Sequence, residues 1–187
     1  MALLELETRT KSIDPADGNL IAGYAAIFHS EAVIAGEFRE KIAPGAFARS
    51  LRENDVVALI AHDSGRVLGR MSSGTLRLRE DAKGLAFDLH ADPSTPDGAT
   101  ALGLVRRRDL RGMSFGFRVR DEAWTETSGL PLRTLNDIDL AEITLTAFPA
   151  YENTTAALRS LAAFRSAAAA RLAMRMKTDL RVRGRQL

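Results

Sequence analysis

Gly112-Met113-Ser114-Phe115-Gly116-Phe117-Arg118-Val119-Arg120 alternates between two kinds of residue. A strand places Met113, Phe115, Phe117 and Val119 on one face and Ser114, Gly116, Arg118 and Arg120 on the other. The stretch opens as G-x-S-x-G. In hydrolases that carry this motif as a strand–turn–helix elbow, the histidine follows the serine in the chain. Here the pattern runs on as a strand, and the last of the three histidines is His90. The elbow is excluded. What remains is a β-strand with a serine off its apolar face and glycines on either side. An ordinary polar residue on a strand's outer face gives the same pattern.

Working outward, the first 150 residues read as mostly β. Downstream, Leu132–Phe148 is a second long strand, with Ser128-Gly129 as the turn between. Within it Ala141, Ile143 and Leu145 share an apolar face, and Glu142 shares the other with Thr144 and Thr146. Strands joined by so short a link usually neighbour each other, so Glu142 and Ser114 are expected on the polar faces of paired strands.

Upstream, Thr95-Pro96-Asp97 opens a helix with a cap, a first-turn proline and an acid at the positive end. Arg106-Arg107-Arg108 closes it and complements its dipole. Short strands are expected at Val67–Met71, Thr75–Arg79 and Leu85–His90, broken at Ser64-Gly65, Ser72-Ser73-Gly74 and Asp81-Ala82-Lys83-Gly84. Val56–Ala61 is a continuous apolar run, the mark of a strand buried on both faces. A helix starts at Pro44, with Phe47 and Leu51 on one side. Residues 3–8 alternate and residues 19–28 are apolar; Asp14–Gly18 between them is turn chemistry, so the pair reads as a hairpin. Many short strands at close spacing point to a barrel or a sandwich.

A serine nucleophile needs a base. His62 ends the buried run and is followed by Asp63; His29 sits in a loop and His90 ends a strand. A histidine at the rim of a rigid strand suits catalysis, though a capping histidine would sit there too. Asp63 is adjacent to His62, and adjacent strand residues point to opposite faces; it can hold the ring only if the strand breaks at His62. Glu142 is the other candidate acceptor. The chain has no close pair of histidines, no phosphate loop and no dinucleotide fingerprint. Aromatics are too scattered for a nucleic-acid stacking platform.

The chain has 187 residues, 45% hydrophobic and 27% charged, and no cysteine. That excludes disorder throughout, a disulfide scaffold, a thiolate metal site and a cysteine nucleophile. No apolar run of about 18 residues spans a membrane, and the acidic residues near Met1 do not suit a signal peptide. The net charge of +2 hides a split. Residues 161–187 carry seven basic side chains and one acid, Asp179, leaving 19 basic and 23 acidic elsewhere. Leu158, Leu161, Phe164, Ala168, Leu172 and Met176 recur at helical steps in this alanine-rich segment. The expected organisation is a body over 1–152, a basic helix over 153–180 and a disordered tail over 181–187. The basic segment suits an acidic partner or nucleic acid, and a solvated helix that frays accounts for the charge equally well.

The ordered pieces resemble the prohead proteases of tailed phages and related gene transfer agents. They are Gly23-Tyr24-Ala25-Ala26-Ile27-Phe28, Ile42-Ala43-Pro44-Gly45-Ala46-Phe47, His62-Asp63, Val67-Leu68-Gly69, Arg111 to Phe117, Leu140 to Thr146 and Pro149-Ala150-Tyr151. The resemblance spans about residues 5–158. It implies a fold like that of herpesvirus assemblin, mainly β with α: a closed β-barrel wrapped by helices, plus the C-terminal helix. It implies a serine endopeptidase of capsid maturation with Ser114 as nucleophile and His62 as general base, working with no cofactor. Assemblins use a second histidine as third member; Glu142 holds that place here, with Asp63 the alternative. The implied substrates are scaffold segments, the N-terminal part of the major capsid protein and the protease itself. These would be met inside the assembling prohead in the host cytoplasm, with possible self-association and no membrane or nucleic-acid partner. A non-enzymatic capsid scaffold or internal structural protein is the alternative.

Overall fold

The computed structural model describes residues 11–12, 18–147 and 155–183. The chain divides into two compact units, Met1–Glu152 and Asn153–Leu187.

A long antiparallel ribbon organises the first unit. It pairs β9 (Gly112–Thr125) with β10 (Leu132–Thr146) from Leu132↔Thr125 to Thr146↔Gly112. On its other side β10 pairs in parallel with β4 (Phe38–Ile42) through its first half and with β5 (Val57–Ile60) through its second. β1 (Lys11–Ser12), β3 (Ala32–Ile34) and β6 (Asp63–Arg70) complete a seven-stranded sheet. A second, three-stranded sheet has the order β2 (Leu20–Ile27), β8 (Gly84–His90), β7 (Leu76–Glu80). The architecture is mainly β with helices. The described ladders form these two sheets and do not close into a barrel.

The apolar face of β9 builds the core as its alternation demands. Met113, Phe115 and Phe117 are buried, and the rings of Phe28, Phe47, Phe115 and Phe117 follow one another at 6.3, 5.8 and 5.0 Å. Such pairs add to burial through their complementary edges and faces. β5 is buried through Ala58, Leu59 and Ile60, on both faces as a continuous apolar run requires.

Several boundaries differ from the sequence expectation. The helix expected from Pro44 is confined to α1 (Ser50–Glu53); residues 44–49 form successive turns, because Gly45 sits at φ +87°. That backbone conformation interrupts a right-handed helix. The second expected helix, α2 (Pro96–Arg106), starts as its cap predicts: the Thr95 hydroxyl accepts from the Gly98 N–H at 3.1 Å. The third, α3 (Thr155–Arg183), takes in residues 181–183, where the sequence leads one to expect a disordered tail. The expected break at Ser64-Gly65 falls inside β6, and the chain reverses three residues earlier, at Ala61-His62. The first arm of the expected N-terminal hairpin lies outside the described residues; β2 pairs with β8.

One buried feature carries no signal in the hydrophobic pattern. Arg133 is 2% exposed and binds Glu40 at 2.9 Å and Glu122 at 2.6 Å. This network ties β4, β9 and β10 together off the main core.

Candidate active site

β10 lies between β9 and β5, and side chains from all three regions converge on its off-core face. Ser114 on β9 stands opposite Thr144 on β10, and Gly116 stands opposite Glu142. Ala141 is an extra residue between Leu140↔Phe117 and Glu142↔Gly116, a β-bulge that switches which parity faces the core. Leu140 is therefore buried before the bulge, and Ile143 and Leu145 after it. Ala141, expected on the apolar face, is only half-buried.

His62 arrives from the other side. β5 and β6 form a hairpin whose two-residue loop is Ala61-His62, closed by the Ile60↔Asp63 pair. Both loop residues have positive φ, 51° and 59°, the pattern of a type I′ turn, which ordinarily takes asparagine and glycine. For two side chains with a Cβ this costs about 1 kcal/mol or more each. The turn is held by tertiary contacts. The Ala61 N–H donates to the Leu145 carbonyl at 2.9 Å, and the His62 N–H donates to Thr144 Oγ1 at 2.9 Å.

With the turn pinned there, the His62 ring reaches both neighbours. Nδ1 lies 2.6 Å from Glu142 Oε1, and Nε2 lies 3.1 Å from Ser114 Oγ. A carboxylate only accepts, so Nδ1 carries a proton that it donates to Glu142. In the neutral ring Nε2 is then the acceptor, and the Ser114 hydroxyl donates to it. Ser114 is 1% exposed and Glu142 4%; the His62 side chain is 29% exposed. The serine is thus not the solvent-facing residue that its strand alternation alone would allow. A short bond to a buried carboxylate is strengthened by the low local dielectric.

The strand does break at His62, the condition under which Asp63 could have held the ring. Asp63 is instead exposed, and its Oδ1 accepts from the Gly65 N–H at 2.8 Å. His29 and His90 are exposed and lie outside this cluster. No group of three His, Asp or Glu able to hold a metal occurs among the described residues. No described helix is long and apolar enough to cross a membrane.

Thr144 is the site residue that the sequence reading placed on the right face without a role. It is fully buried and is the acceptor that holds the His62 turn. Thr144→Val keeps its shape and removes that acceptor. The expected result is a fall in kcat of about 10²-fold with KM little changed, since small misplacement of a reacting group costs about that much. Thr144→Ser should restore most of it. A Thr144→Val chain with unchanged kcat would show that the turn holds without this bond.

A hydrogen-bonded hydroxyl, imidazole and carboxylate in this order can activate the hydroxyl as a nucleophile and return its proton to a leaving group. Comparison with known families agrees in kind: a family model described as caudovirus prohead serine protease matches residues 5–167. No curated protein and no solved structure matches the chain.

Proposed function

The chain belongs to the caudovirus prohead serine protease family, and from that premise we propose that Ser114, His62 and Glu142 perform its peptide-bond hydrolysis. Membership makes the chain a serine peptidase of capsid maturation, acting in the assembling capsid on capsid protein. The observation that carries the residue assignment is the continuous chain of bonds from Ser114 Oγ through His62 to Glu142.

In this reading Ser114 Oγ attacks the scissile carbonyl as its proton passes to His62 Nε2. Glu142 fixes the tautomer and stabilises the imidazolium that forms. The tetrahedral intermediate collapses as the imidazolium gives its proton to the departing amine. A water, deprotonated by the same nitrogen, then hydrolyses the acyl-enzyme and frees Ser114. The substrates are scaffold segments, the N-terminal part of the major capsid protein and the chain itself, inside the prohead in the host cytoplasm. The barrel of the assemblin-like fold remains part of this proposal. Co-expression with the capsid and scaffold proteins of the same genome, followed by sequencing of new N-termini, tests the substrates. Processed capsid protein is expected; intact capsid protein beside a chain that cleaves other peptides would remove it as substrate.

The second unit carries α3 and the basic groups, whereas Ser114, His62 and Glu142 all lie in the first. Leu172 and Met176, four residues apart on one face of α3, are exposed, beside Arg171 and Arg175. An apolar stripe edged with positive charge suits docking on an acidic scaffold. Truncation after about residue 160 is therefore expected to leave peptide cleavage intact and to reduce incorporation into proheads. A truncated chain that is insoluble, or that enters proheads normally, would remove the delivery role.

A further inference from the structure

A groove of about 570 Å³ adjoins the candidate active site. It is lined from the ribbon by Arg118, Arg120, Asp139, Leu140 and Ala141, and on the α1 side by Arg49 and residues 53–55. Ala141, the bulge residue in its lining, is one residue from Glu142. β9 carries no inserted residue between Ser114 and Arg118, the bulge opposite Gly116 and Phe117 lying on β10, so by alternation along β9 the two side chains leave the same face. Four residues of strand separate them by about 13 Å.

The charges around the groove are almost all spoken for. Asp139 accepts from Arg49 at 2.5 Å and also from Arg120. Burial pushes its carboxyl up, but these two guanidinium bonds outweigh burial and hold it below the ordinary carboxylate range. Arg49 further binds Asp137 and Glu53, each at 2.9 Å. Asp55 binds Arg70 at 2.8 Å. Arg118 has no hydrogen bond or ion pair with any described residue. The single acid near enough on its own ladder, Asp139, its register partner, is already shared by two arginines.

We propose that this groove is a substrate subsite for an acidic side chain, with Arg118 as the residue that reads it. The inference rests on Ser114 being the nucleophile of the proposed reaction. An extended peptide whose scissile bond lies at Ser114 and which follows β9 reaches Arg118 after about four residues. A carboxylate there meets the one unpaired guanidinium, which can bind it through two parallel N–H donors. Arg118 thus sets specificity and takes no part in bond breaking.

Cleavage-site profiling of a proteome-derived peptide library by the full chain tests the proposal. The wild-type chain is expected to enrich Asp or Glu at one position three to five residues from the cut. Arg118→Ala should lose that enrichment and lower kcat/KM for an acid-bearing peptide by about five- to tenfold, the scale of one partly exposed charged pair. Arg118→Glu should turn the preference at that position to Lys or Arg, which a merely structural arginine would not do. Absence of any cleavage by the wild-type chain overturns the protease assignment and this inference together. Cleavage without acid enrichment, or enrichment that survives Arg118→Glu, overturns the subsite alone.

Discussion

Ser114→Ala is expected to lower kcat/KM by about 10⁶-fold, by analogy with other serine proteases whose nucleophile has been removed. The fold should be unaffected. Only an oxygen is lost from the 1% exposed side chain, and the β9 ladder to β10 uses backbone atoms. Among the described residues the hydroxyl bonds to His62 Nε2, and loss of that bond costs stability on the order of 1 kcal/mol. His62→Ala should be as severe as Ser114→Ala. It keeps a Cβ at the same positive φ, so the turn bears the same strain, and the backbone N–H can still donate to Thr144. The double variant should be no worse than either single one, because nucleophile and base act as a unit. A fluorophosphonate probe, with the labelled peptide read by mass spectrometry, should mark Ser114 in the wild-type chain and not after His62→Ala. Undiminished proteolysis by a clean Ser114→Ala preparation would end this assignment.

Glu142→Gln should cost about 10³- to 10⁴-fold in kcat, short of the serine and histidine losses. The comparable aspartate-to-asparagine change in other serine proteases has about that effect. An amide at this position no longer balances the imidazolium. If its NH₂ turns toward Nδ1, it forces the proton to Nε2, where it blocks acceptance from Ser114. Asp63→Asn, by contrast, should change kcat by no more than about threefold, since Asp63 is exposed and engaged with the Gly65 N–H. Kinetics of the two variants on one peptide compare them directly. If Asp63→Asn is the crippling change, Glu142 is not the residue that orients the base.

Much of the frame is legible in residue order because it depends on neighbours in the chain. The alternation from Met113 to Val119 marks β9, and it places Met113, Phe115 and Phe117 in the core. Thr95-Pro96-Asp97 marks the start of α2, where the cap is a bond across three residues. The apolar run before His62 marks a strand buried on both faces. Errors gather where a local rule meets a distant constraint. The Ala141 bulge reverses the parity that simple alternation assigns to Ile138 and Leu140. Arg133, a residue type expected on the surface, is buried because Glu40 and Glu122 arrive from two other strands.

The site divides along the same line. The faces of Ser114 and Glu142 follow from a period of two and a short link between strands, so both are readable from the chain as written. The position of His62 is not. Neither Ala61 nor His62 favours a left-handed turn, and a reading confined to local preference puts the break at Ser64-Gly65. The turn forms at Ala61-His62 because two bonds from β10, at Leu145 and Thr144, hold it there. Those partners lie more than 80 residues away in the chain, and the energy that offsets the strained backbone exists only after β5 has docked beside β10. Residue order thus decides which side chains are available on which faces. The packing of β5, β9 and β10 decides that a serine, a histidine and a glutamate end within hydrogen-bonding distance of one another.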